Sequence, residues 1–390
     1  MWRDSTLGNL VSLQRGYDLT EGERTSGPVP VIGSNGRNGW HNKARVSGPG
    51  VTVGRSGASA GVVTYVAEPF WPHNTVLYVT DFKGNEPRFV AYLLSTLNLA
   101  SYNSGSAQPS LNRNFLYPKA IRVPSIDQQR RITSILSAYD DLIENNTRRI
   151  AILEEMARRF YEECFVHFRA PCVQGLPLVE SPIGPIPQGW EVTPLDTIID
   201  FDPRVHVPKD KLNTFVPMTS LQTDSMILGE FGIKKGNSGS KFQNGDTLLA
   251  RITPCLENGK TGFVDNLPTD DAVACGSTEF VVMRGVKVPS EFVQLLARND
   301  AFRAHAIRSM SGATGRQRVR RASLEQYEIA RPDDKTLNHF ASLVAPMFRL
   351  CRTLADTTSN LRVQRDLLLP KLISGEIGVS EGEELMEAAE

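Results

Sequence analysis

No run in this sequence is long and uncharged enough to cross a bilayer, and no apolar segment follows the opening Met-Trp-Arg-Asp. Neither a membrane span nor a secretory leader is therefore expected, and the chain reads as cytoplasmic. Cysteine is scarce. Its five copies, an odd number with no Cys-x-x-Cys pair, argue against a disulfide framework and an ordinary zinc module, so reduced thiols are the expectation. Net charge is missing too, because 43 Lys+Arg balance 43 Asp+Glu. That balance speaks against a surface coated uniformly with the cations that phosphate neutralisation needs.

The charge is nevertheless unevenly spread. Residues 1–123 hold 12 Lys+Arg against 7 Asp+Glu, whereas residues 332–390 hold 6 against 10. Basic character therefore gathers at the front of the chain and acidic character at its end. A chain of 390 residues, 40% of them hydrophobic, can bury more than one core.

What is present, above all, is an internal repeat. Trp2 and Leu7 recur 188 residues later as Trp190 and Leu195, and Gly50-Val51-Thr52-Val53 recurs as Gly245-Asp246-Thr247-Leu248. Thr75 and Phe89-Val90 return as Thr278 and Phe292-Val293, Ser104-Gly105 as Ser311-Gly312, and Pro124 as Pro332. The offset grows along the half, so the second copy carries loop insertions.

Beyond each proline the pattern turns helical. Ile132, Tyr139, Asn146, Leu153 and Phe160 fall seven apart, and so do Phe340, Met347, Leu354, Leu361 and Leu368. Each helix thus carries a narrow apolar seam, and the simplest burial packs seam against seam as an antiparallel coiled coil. Pro346 is expected to kink the second helix. Five prolines between Pro171 and Pro187 mark an extended linker, and the acidic last residues suggest a mobile tail. Short runs such as Val62–Val66, Thr75–Val79 and Phe280–Met283 read as strands, and one helix is expected in each copy, near 88–100 and 290–309. The expected fold class is α+β: two pseudo-repeated mixed α/β domains separated by two long antiparallel helices. The boundaries are 1–124 and 190–332 for the domains, 125–168 and 333–375 for the helices, 169–189 for the linker and 376–390 for the tail.

Several fragments imitate catalytic motifs. Gly57-Ala58-Ser59-Ala60-Gly61 matches a nucleophile elbow, but that motif passes from strand to helix and here a second strand follows. Gly259-Lys260-Thr261 imitates the end of a P-loop, yet the glycine required five residues earlier is Pro254. Cys164, His167 and Cys172 lack a fourth metal ligand, and Cys164 lies on the apolar stripe. Neither an Asn-Pro-Pro-Tyr-like methylation motif nor a glycine loop for S-adenosylmethionine is found. No catalytic residue is assigned.

Three segments carry a family resemblance. They are Ile186-Pro187-Gln188-Gly189-Trp190-Glu191 followed by Leu195, Asn244–Arg251 with Gly259–Gly262, and Leu367–Ile377. In this order, around a repeat, they resemble the specificity subunit of type I restriction-modification systems. The first copy departs from the pattern by starting at Trp2 without the Pro-Gly opening. The resemblance implies two target-recognition domains, each reading one half of a bipartite double-stranded DNA target, and helices that dock methyltransferase subunits. It also implies two adenine-N6 methyltransferase subunits and two restriction subunits as partners. S-adenosylmethionine, ATP and Mg are then expected on those partners and no cofactor on this chain. A duplicated coiled-coil scaffold that recognises proteins is the competing reading.

Reading bases takes forked donors or acceptors at the groove floor, whereas phosphates take Arg, Lys, small hydroxyls or backbone amides. Two loops per copy supply such groups. In the first copy they are Arg37, Asn38 and Trp40, then Arg55, Ser56 and Ser59, then His73 and Asn74, and finally Gln108 and Arg113. In the second they are Arg251, Thr253, Glu257, Asn258 and Lys260, together with Arg316, Arg318, Arg320 and Arg321. Four arginines in six positions make the last segment the strongest phosphate-binding candidate.

Overall fold

The computed structural model describes residues 2–102, 110–269, 271–313 and 315–382, in two compact units. The first unit holds Met1–Ile143 and Asn360–Glu390, and the second holds Glu144–Ser359. Each therefore takes a share of both long helices, Ile126–Phe165 and Asp334–Ser374.

In the first unit the β-branched runs Gly50–Gly54 and Val76–Asp81 lie side by side in the middle of a four-stranded antiparallel sheet, flanked by Val63–Val66 and Ser12–Arg15. The helix Pro87–Thr96 covers it. Proline at its first turn and the Glu86 carboxylate accepting from Phe89 N start that helix, and Phe89, Val90, Leu93 and Leu94 bury its inner face. Ile132, Ile135, Leu136 and Tyr139 of the first long helix, with Leu361, Leu368 and Leu372 of the second, complete the same core. Arg365 Nη1 reaches the Asp140 carboxylate at 2.7 Å, and Tyr92 Oη donates to that carboxylate at 2.5 Å.

The second unit has a sheet of the same order: Ile199–Phe201, Phe280–Gly285, Thr247–Ala250 and Thr261–Phe263. A further sheet comprises Gly232–Lys235, Leu212–Val216, Val273–Gly276 and Ser240–Gln243. Each unit also has a two-stranded closure. Arg3–Thr6 pairs with Ala120–Val123 in one, and Glu191–Pro194 pairs with Glu328–Arg331 in the other. Within the second unit the Phe160 and Phe340 rings stack at 5.9 Å, and the Cys351 thiol lies 3.9 Å from the Ile150 carbonyl. The two helices run in opposite directions there.

The observed strands Val63–Val66, Val76–Asp81 and Phe280–Gly285 fall on the expected runs within a residue or two. The helix expected over 290–309 is two helices, Ser290–Arg298 and Asp300–Arg308. Asn299 takes extended backbone between them and its side chain accepts from Ala301 N and Phe302 N, so a new N-cap interrupts the run. The second long helix runs unbroken through Pro346. No described helix is long and apolar enough to cross a membrane.

Asp265 gives the second unit a pH dependence. Burial pushes its carboxyl up to about 6 from 3.8, although the Arg352 guanidinium stands 3.5 Å away. Between those values the folded chain holds a proton that the unfolded chain releases, so this group's contribution to stability falls as pH rises from about 4 to about 6. Asp265→Asn should flatten that part of a stability-against-pH curve measured by urea unfolding. An unchanged slope would show that Asp265 is ionised throughout.

Candidate nucleic-acid interface

The fragment Gly57–Gly61 is a tight turn between strands. Gly57 and Gly61 adopt positive φ, and Gly61 N donates to Gly54 O at 2.8 Å. A side chain at Gly54 would meet Ser59 O at 2.2 Å, so the close approach of the two backbones requires glycine there. Strand, turn and strand follow in order, the context that sets Ser59 apart from a nucleophile elbow.

That turn positions the basic groups of the first unit. Leu111 N donates to Arg55 O at 2.8 Å and Ser56 bridges Ser110, which fastens the loop after the central strand to the segment before the closing strand. Between them opens a groove of about 670 Å³ lined by Gln14, Arg15, Tyr17, Arg55, Asn112 and Arg113, among others. Among the described residues the Arg55 side chain has no hydrogen-bond or ion-pair partner, whereas Arg113 Nη1 donates to Leu13 O at 2.8 Å. Gln14, Arg15, Tyr17 and Asn112 went unselected in the sequence because they reach the groove from separate segments.

The remaining first-unit candidates divide. Arg37, Asn38 and Trp40 are exposed on the strand Gly36–His41, with the Arg37 guanidinium 4.8 Å from the Trp40 ring centre. His73 is committed internally, to Thr75 Oγ1 at 3.1 Å and Leu19 O at 3.3 Å, and burial lowers its pKa, which favours the neutral ring. Asn74 donates its amide to the Asp18 carboxylate. Gln108 lies outside the described residues.

The second unit repeats the fastening of loop to loop. Val319 N donates to Arg251 O at 2.9 Å, Thr253 N donates to Gln317 O at 3.0 Å, and Ile252 bridges Arg318. Arg251, Thr253 and the arginine-rich segment are thus brought together. The four arginines are not equivalent. Arg318 holds the Glu279 carboxylate at 2.6 Å and Arg321 holds Glu325 at 2.6 Å, while Arg320 Nε donates to Ser311 Oγ at 3.0 Å. The Arg316 side chain is exposed and unengaged among the described residues. Glu257 and Asn258 are exposed at the loop tip, and Lys260 Nζ donates to Met218 O at 3.2 Å.

Sequence reasoning also missed a lysine-bearing hairpin. Leu212–Val216 pairs with Gly232–Lys235, which forms the edge of its sheet with all four residues exposed. Lys209, Lys211, Lys234 and Lys235 are exposed on and beside it, with Lys234 Nζ 4.8 Å from the Phe215 ring centre. The lysine spacing was a legible signal, but no repeat partner in the first copy drew attention to it.

The family model for the type I restriction modification DNA specificity domain matches residues 1–155. The specificity subunit of the type I restriction enzyme MjaIX from Methanocaldococcus jannaschii is 24% identical over 86% of this chain and 80% of its own length. The first 155 residues thus match that domain, and the relative that spans most of this chain is itself a type I specificity subunit. Another relative, the EcoAI specificity subunit of Escherichia coli, is 32% identical over 38% of this chain, a match that spans 26% of that protein. The solved S subunit from M. genitalium covers 96% of each chain with a TM-score of 0.62 at 14% identity, which establishes a shared fold. The fastened loops are common to both units of this chain.

Proposed function

We propose that this chain is the DNA-reading subunit of a type I restriction-modification complex, with each unit reading one half of a bipartite target. The observation that carries this reading is the fastened loop pair, which in each unit presents an arginine, Arg55 or Arg316, with no side-chain partner among the described residues, beside polar side chains. Arginine forks suit guanine edges and phosphates alike, and the groove of the first unit adds Gln14 and Asn112 as amide readers. Phosphate contacts set register, and base-edge contacts select sequence.

The long helices form an antiparallel coiled coil that sets the spacing and docks two methyltransferase subunits. Support comes from the antiparallel contacts within each unit and from apolar side chains left exposed, including Met156 and Leu343 in one unit and Val363 and Leu367 in the other. The chain is duplicated and non-catalytic. S-adenosylmethionine serves the methyltransferase subunits, and ATP and Mg serve two restriction subunits.

A gel-shift titration of the full chain with its methyltransferase subunits tests the assignment. Binding should prefer one bipartite duplex and weaken with salt. Removing one phosphate contact reduces the slope of log K against log salt by about 0.9. Arg316→Ala should show that change with sequence preference retained. Arg55→Ala, from the groove, should also relax preference in one half-target, at about 1–3 kcal/mol for a lost bidentate base contact. Equal binding to all duplexes, or none, would favour the protein-recognising scaffold.

A further inference from the structure

The first long helix ends in a reversal that places two thiols against each other. Val166 N and His167 N both donate to Glu162 O, and Arg169 N and Ala170 N both donate to Glu163 O. Phe168 takes a left-handed conformation, φ 55°, and the Arg169 guanidinium grips the Glu163 carboxylate at 2.5 and 2.8 Å. The backbone thus doubles back beside the last helical turn. Cys172 Sγ comes to lie 3.6 Å from Cys164 Sγ. Cys164 is fully buried among Phe165, Trp190 and their neighbours, whereas Cys172 is half-buried at the core's margin.

We propose that Cys164 and Cys172 are a modification site, a reversible disulfide formed when the chain meets a two-electron oxidant of the peroxide class. A bond requires the sulfurs to close from 3.6 Å to about 2.05 Å, a movement within the reach of side-chain rotation on a pair already in contact. The half-buried partner reacts first. The Cys172 thiolate attacks a peroxide oxygen, the O–O bond breaks, and protonation of the departing oxygen gives water and a sulfenic acid. The Cys164 sulfur then attacks Cys172 Sγ, the S–O bond breaks, and the hydroxyl leaves as water with the Cys164 proton. Two thiols and one peroxide become one disulfide and two waters.

The division of roles follows from position. Burial, with the neighbouring Cys172 thiol adding to it, raises the pKa of the Cys164 thiol and shields it from direct oxidation, so that this sulfur resolves the sulfenic acid and gives up its proton as it attacks. The other free cysteines, Cys255, Cys275 and Cys351, have no thiol neighbour among the described residues. Closing the ring fastens the start of the proline-rich segment to the last turn of the helix, entirely within the second unit.

The test uses the full chain, treated in its native state with hydrogen peroxide, quenched, unfolded and titrated for thiols. Five thiols should fall to three and return to five with dithiothreitol. Trypsin cuts after Arg159, Arg169 and Arg204, so non-reducing peptide mapping should find Phe160–Arg169 joined to Ala170–Arg204. Cys172→Ser, at the margin of the core, should keep its four remaining thiols under the same treatment. Cys255→Ser should still form the bond. The proposal is overturned if Cys172 passes to sulfinic acid while Cys164 stays alkylatable, if the bond joins other cysteines, or if all five thiols persist.

Discussion

Asp246→Ala should cost the second unit about 3–5 kcal/mol, the usual penalty for stripping one partner from a buried ion pair. Asp246 is fully buried at the head of the strand Thr247–Ala250. Its two oxygens accept from Arg284 Nε at 2.6 Å and Nη2 at 2.7 Å, and one also accepts from Gln243 N at 2.9 Å. The pair is bidentate and spans neighbouring strands just beyond the Thr247–Met283 register position. Alanine would leave the guanidinium, only 25% exposed, without its carboxylate and one backbone amide without an acceptor. Urea unfolding should show a lower midpoint for the phase that reports the second unit. Asp246→Leu combined with Arg284→Met should recover much of the loss, since an apolar pair of similar volume avoids burying a lone charge. A midpoint that stays put in the alanine variant would mean the pair contributes nothing.

Asp246 also shows where reading the sequence stops. It stands inside Asn244–Arg251, one of the segments that carries the family resemblance, and nothing in that segment says that its acid is structural. The partner lies 38 residues away, and pairing across such a distance leaves no periodic trace. Arg318 with Glu279 is a similar case at 39 residues. A count of four arginines weighs them equally, but folding assigns two of them to carboxylates. The long helices were legible because an apolar seam every seven residues needs only local periodicity. Strands such as Val76–Asp81 were legible for the same reason. His73 and Asn74 looked like readers from composition alone. Their ties to Leu19, Thr75 and Asp18 depend on the parallel bridge that sets Tyr17 beside His73, a tertiary contact across 56 residues.

Exchanging residues 1–123 for the corresponding segment of one of the similar type I specificity subunits should change one half of the methylated target and leave the other as it was. All described candidate readers of the first unit, from Gln14 to Arg113, lie inside that segment, and those from Arg251 to Arg321 lie outside it. The ends of the segment are suited to the exchange. Arg3–Thr6 and Ala120–Val123 pair antiparallel, so both ends leave the unit side by side in one two-stranded ribbon. The incoming segment must still cover Ile132, Ile135, Leu136 and Tyr139 with its own equivalents of Leu7, Leu10, Phe89 and Leu93. It must also keep an arginine at position 88 and a tyrosine at 92, because both engage the Asp140 carboxylate. A donor lacking Tyr92 would leave Asp140 with Arg88 and Arg365 and lose one hydrogen bond, about 1 kcal/mol, without touching the candidate readers. Stability and specificity should therefore separate in such chimaeras. Mapping N6-methyladenine in a host that carries each one gives both half-targets directly, and a chimaera in which both halves change would show that the two units do not read independently.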